Sequence, residues 1–146
     1  MKTVLFAAML FAIAPQDDPD ATWGDIRSRI MAWYTTVDFT EARMAYSQSS
    51  DFNPYYSGSR IDKVLDSTNR AKDYLGFVAA CREVLNEHPL HPQYTSAAAY
   101  GFAQMEMNDS ADHYQWRYEG VLESVQNSGD GLTMQTAKTV IAVYEE

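Results

Sequence analysis

A mainly α-helical fold with a short β element at its C-terminal end is predicted by three observations. Apolar residues recur at spacings of three and four through most of the chain. Pro89 and Pro92 stand between the apolar stripes, where one helix stops and another starts. A single β-branched apolar run, Thr139-Val140-Ile141-Ala142-Val143-Tyr144, is confined to the end. The 146 residues correspond to one domain, and the 46% of hydrophobic residues supplies a core and argues against intrinsic disorder.

The elements follow in order. Trp23, Ile26, Ile30, Trp33, Tyr34 and Val37 keep helical spacing and predict a first helix over about 22–35. Thr40 then serves as an N-cap with Phe39 reaching Met44 as a hydrophobic staple, which starts a second helix over about 41–49. The turn-rich stretch from Ser49 to Gly58 is a loop. Ile61, Val64 and Leu65 mark a short helix, and Tyr74, Phe77, Val78, Cys81 and Leu85 stripe a longer one over about 70–87. Cys81 is the only cysteine, which excludes an intramolecular disulfide and a cysteine-rich metal site; its place on the apolar stripe makes it a packing residue.

Pro92 occupies the first position of the next helix, whose face carries Tyr94, Ala98, Gly101, Phe102 and Met105, with Ala97 and Ala99 thinning the flanks for close packing. Asn108-Asp109-Ser110 supplies an N-cap for a last helix striped by Tyr114, Tyr118, Val121, Leu122 and Val125 and ending near Ser128. Gly129-Asp130-Gly131 reads as a turn; a calcium loop needs six or more oxygens, and only Asp130 is offered locally. The strand at 139–144 needs backbone partners. They come from the 50s loop or from chain beyond Glu146, and the second source is favoured.

The N-terminus carries an address. Met1-Lys2 and the apolar stretch from Val4 to Ala14 have the form of a secretory signal, too short to span a bilayer. Ala12 and Ala14 form an A-x-A site, followed by Pro15, and Asp17-Asp18-Pro19-Asp20 breaks any helical continuation. The expected organisation is a signal peptide over 1–16 and a single domain over 17–146. The mature protein is then periplasmic or secreted, with no membrane insertion after signal removal, since no other segment approaches about 18 apolar residues. A net charge of −9 argues against nucleic acid and anionic lipid as partners.

Two resemblances rest on these elements. With Pro89 as the proline that closes a tetratricopeptide (TPR) unit, Ala99, Phe102 and Ala111 fall on the small, aromatic and small positions of the next unit. The segment thus resembles a TPR-like antiparallel hairpin, departing from the pattern at Glu106, in place of the turn glycine, and at Gln115, in place of an aromatic. The wider pattern comprises Asn53-Pro54-Tyr55, Asn86-Glu87-His88-Pro89-Leu90, Ser128-Gly129-Asp130-Gly131, Thr136-Ala137, Val140-Ile141 and Glu145-Glu146. It resembles an exported bacterial family known as domain of unknown function 4919, with departures at Gln135 and Lys138. That resemblance implies export and further chain after Glu146, and it implies no named activity.

Candidate chemistry is of two kinds. In a TPR-like hairpin the concave row of the first helix is Gln93, Ser96, Tyr100 and Gln104, polar and amphipathic as a peptide-binding surface requires. The expectation is a non-catalytic module that binds an envelope protein or peptide and uses no cofactor. The alternative is a metal-dependent hydrolase in which His88, His91 and His113 hold zinc with Glu87 or Asp112 nearby, against the plainer role of histidines at a helix C-terminus, where they bond free carbonyls.

Overall fold

In the computed structural model, which describes residues 18–33 and 35–145, the chain forms six helices joined by short turns and one longer loop. The expected signal peptide at 1–16 lies outside the described residues. The helices are α1 (Pro19–Met31), α2 (Phe39–Gln48), α3 (Ser59–Arg70), α4 (Tyr74–Glu87), α5 (Pro92–Gln104) and α6 (Asn108–Gln126). No helix among the described residues is long and apolar enough to cross a membrane.

Carboxylates start three of them. Asp18 accepts from the Asp20 amide, and Asp73 from the Gly76 amide. Asp38 accepts from the amides of Thr40 and Glu41 at 2.8 and 3.2 Å. The second helix therefore begins at Phe39 with Asp38 as its cap, two residues before the Thr40 cap that the sequence suggests, because one Asp38 oxygen satisfies two of the free first-turn amides. At α6 the expected polar cap is displaced as well: Met107 holds the cap position without a side-chain bond, and Asn108 is already helical.

The turns α3–α4 and α5–α6 share one geometry. Each has a residue in the left-handed region one step past the C-cap, Lys72 at φ 56° and Glu106 at φ 59°, 34 positions apart. In the first, the Lys72 amide donates to Asn69 O and the Asp73 amide to Thr68 O; in the second, the Glu106 amide donates to Ala103 O and the Met107 amide to Phe102 O. This is the Schellman arrangement, which satisfies the last helical carbonyls. Helices α3 to α6 pack in succession, each on the next. Gly101 marks a close approach of α5 to α4, since a Cβ there would lie 2.5 Å from the Val78 side chain.

Two buried clusters result. One joins α3 to α6 through Leu65, Phe77, Val84, Ala98, Phe102 and Tyr114. The other joins α1 and α2 to Leu90 and Val121, through Trp23, Ile26, Ile30 and Tyr46. Helix α2 packs on α6. Cys81 is fully buried at the α4 seam, and burial pushes its thiol up to about 12, so it packs as a small apolar side chain.

The C-terminal strand does not form among the described residues. The segment after Gln126 is irregular up to a 3-10 turn at Val143–Glu145. Its amides find scattered partners instead of a ladder: Thr139 donates to Ser128 Oγ at 2.7 Å, Ile141 to Glu145 Oε2 at 2.9 Å, and Val143 to Pro54 O at 3.1 Å. The contact with the 50s loop exists, but as a single backbone bond. Gly131, at φ +73°, turns the segment back so that its amide reaches Thr136 O at 2.8 Å.

Candidate functional site

The α5 row expected to bind peptide lies along the seam with α3. Gln93 Nε2 donates to Asp62 Oδ1 at 3.3 Å, and Tyr100 Oη donates to Asn69 Oδ1 at 3.4 Å. Tyr100 rests edge-on against Tyr74 and Phe77, with ring centroids at 6.2 and 5.9 Å, yet stays 44% exposed. Gln104 is exposed and Ser96 half-buried. Behind the row, the buried Tyr94 donates its hydroxyl to Asp62 at 2.9 Å and locks α5 to α3. The row is thus a partly open surface, tied to α3 at Gln93 and Tyr100.

The three histidines do not assemble into a metal centre, and among the described residues no group of three His, Cys, Asp or Glu side chains is placed to hold a metal ion. His88 and His91 are buried in the α4–α5 turn. His88 Nδ1 bonds the Tyr46 hydroxyl at 3.2 Å, and its ring packs on Tyr56. His91 stacks on Tyr144, with centroids 4.2 Å apart, and its Nδ1 is buried without a hydrogen-bond partner. His113 belongs to α6 and stacks on Trp33. Burial drives His91 and His113 down to about 4, with His88 adding to the effect at His91 and Arg117 adding to it at His113. Each ring is an aromatic packing element, neutral at pH 7.

Around His113 lies a feature that sequence reasoning missed. A cleft of about 500 Å³ opens between the α1–α2 turn and the first half of α6, lined by Trp33, Thr35, Asp109, Asp112, His113 and Trp116. Helical spacing assigns Trp33 to the apolar stripe of the first helix, but α1 ends at Met31. Trp33 lies beyond it in the left-handed region, at φ 65°, with 47% of its surface exposed. A bulky side chain there costs on the order of 1 kcal/mol or more. Parallel stacking on His113, with centroids 4.4 Å apart and planes 4° apart, helps to hold it. Trp116 is fixed by His113 at 5.6 Å and by the edge of Phe39 at 5.0 Å. A sequence signal was available: Asp109, Asp112, His113 and Trp116 are spaced by three, one and three, which places Asp109, Asp112, His113 and Trp116 on adjoining positions of one helical face.

A third arrangement anchors the tail. The Arg43 guanidinium, on α2, is wholly buried and bonds both carboxylate oxygens of Glu145, at 3.0 and 2.6 Å, together with Ser124 Oγ and Thr139 O. The site is structural, and it gives the Glu145 of the family-like pattern a physical role.

Searches against curated proteins and solved structures gave no match. A family model does match, over residues 29–146, from the last turn of α1 through all the remaining helices and the anchored tail. The chain belongs to the family described as Domain of unknown function (DUF4919).

Proposed function

We propose that the protein is a non-catalytic, TPR-like binding module of the cell envelope, exported by its segment 1–16, that presents the α5 row Gln93, Ser96, Tyr100 and Gln104 to a protein or peptide. The observation that carries this reading is the recurrence of one Schellman turn 34 positions apart, at Lys72 and Glu106, which is the period of a TPR array. In such an array the first helices of successive pairs lie side by side on the concave surface. The bonds that Gln93 and Tyr94 on α5 donate to Asp62 on α3 are consistent with that layout. A fixed tyrosine flanked by amides offers contact area at low entropic cost together with hydrogen bonds to an extended backbone.

Peptides selected from a random display library against the full chain test the reading. Tyr100→Ala is expected to weaken the selected peptides at least fivefold, while costing only about 1 kcal/mol of stability from its edge contacts. If neither Tyr100→Ala nor Gln104→Ala changes their binding, the row is not the binding surface. A fusion of residues 1–16 to a reporter that is active only outside the cytoplasm tests export.

A further inference from the structure

The cleft between the α1–α2 turn and α6 is separate from the α5 row and has a different chemistry. Its walls are two indole rings, and its rim carries two carboxylates, Asp109 and Asp112. No lysine or arginine lines it among the described residues. Of two described arginines on the neighbouring elements, Arg29 donates to Thr36 O and pairs with Asp25, while Arg117 is buried outside the lining and donates to Pro89 O, its charge acting on His113 rather than at the rim. His113 covers one face of Trp33, leaving the other to account for its exposure. Both indoles are held by ring contacts, Trp33 by His113 and Trp116 by His113 and Phe39, so the walls are set before anything binds.

We propose that this cleft binds an organic cation, an alkylammonium group that lays its carbons on Trp33 and Trp116 while Asp109 and Asp112 balance its charge. Charge complementarity selects this occupant. A neutral apolar ligand would gain nothing from the two exposed carboxylates, an anion would be repelled by them, and an ammonium carrying methyl or methylene groups satisfies both the ring faces and the rim. The left-handed backbone at Trp33 is consistent with a side chain positioned for contact rather than for core burial. An ammonium of this kind belongs either to a quaternary choline-type head or to a lysine-type primary amine.

Titration of the full chain, followed by tryptophan emission and by calorimetry, compares choline, butylammonium and the uncharged choline isostere 3,3-dimethylbutan-1-ol. One or both cations are expected to saturate at millimolar concentrations, with the isostere roughly tenfold weaker. Trp33→Ala, and separately the double variant Asp109→Asn with Asp112→Asn, is expected to weaken binding by a similar factor, and all these residues except Trp33 are simple exposed positions on α6. Preference for choline assigns the site to quaternary heads, and preference for butylammonium to lysine-type amines. Tyr100→Ala should leave cation binding unchanged, which keeps this test distinct from that of the α5 row. Equal affinity for the isostere, indifference to the double Asn variant, or no saturable binding of either cation up to roughly 50 mM would overturn the proposal.

Discussion

Removing the carboxylate of Glu145 is expected to be among the most damaging single changes in the described chain. The Arg43 and Glu145 side chains are 0% and 1% exposed, so neither ion has water to fall back on. In Glu145→Ala the guanidinium loses its two charge-assisted bonds, and the Ile141 amide loses its acceptor. Ser124 Oγ and Thr139 O remain, but neither carries a compensating charge. Charge-assisted bonds are worth about 1.5–3 kcal/mol each, and breaking a buried pair from one side costs about 3–5 kcal/mol. Against a typical total stability of about 5–15 kcal/mol this is a large fraction. It corresponds to a fall in Tm of roughly 10–20 °C. Thermal and urea melts of four proteins measure it: wild type, Glu145→Ala, Arg43→Met and the double variant Arg43→Met with Glu145→Leu. The double variant removes both charges and should recover most of the loss, because apolar side chains of similar size often replace a buried pair at little cost. If Glu145→Ala melts within about 2 °C of wild type, the tail is not docked on α2 through this pair.

Two further changes probe the packing. Gly58→Ala keeps an unstrained backbone, since Gly58 has φ −80°, but its Cβ would lie 1.5 Å from the Tyr94 hydroxyl; displacing that buried hydroxyl from Asp62 should cost about 2–3 kcal/mol in urea unfolding, and a loss under about 0.5 kcal/mol would contradict the packing. The second concerns acid. His91 and His113 titrate near 4 in the fold and near 6.5 when unfolded, so the unfolded chain takes up protons first as pH falls. Their stabilising contribution is complete above about pH 6.5 and declines between about 6.5 and 4, by on the order of 2–3 kcal/mol for each, a window in which most carboxylates stay ionised. Urea midpoints at pH 7, 5.5 and 4.5 should fall in that order, with a shallower fall in His91→Phe, which keeps the ring stacked on Tyr144; an unchanged midpoint across the series would count against burial of these rings.

The helices were legible because their stripes are periodic. Val78, Cys81, Leu85, Ala98 and Phe102 are buried where spacings of three and four place them, and Pro92 stands at the first position of α5 as its missing amide allows. Helix ends were less legible, because a start depends on which side chain reaches the free amides, and Asp38 reaches two of them whereas the spacing pointed to Thr40. The run 139–144 has strand composition, but composition does not supply a neighbouring strand. Arg43, Ser128 and Glu145 take its polar groups one at a time. Neither the Arg43–Glu145 pair nor the Trp33–His113 stack leaves a local signal, since their partners are 102 and 80 positions apart in the chain.

The arrangement of the first helix pair bears on the proposed TPR-like reading. Two hairpins fall short of the about three stacked repeats that such arrays need to bury a core. The pair α1–α2 precedes α3 in the chain, but α2 packs on α6. In the proposed array it would take the place on α6 where a following hairpin stacks, giving the spatial order α3–α4, α5–α6, α1–α2. The tail then closes the seam this leaves: Glu145 pairs with Arg43 on α2, and Tyr144 stacks on His91 before α5. On this layout the cation cleft sits between the α1–α2 turn and α6, where the transposed pair meets the array, and it exists only because α1–α2 is docked there. Arg43→Met should therefore abolish the tryptophan-emission response to choline or butylammonium while leaving peptide binding at the α5 row unchanged, and an unchanged emission response would contradict this layout.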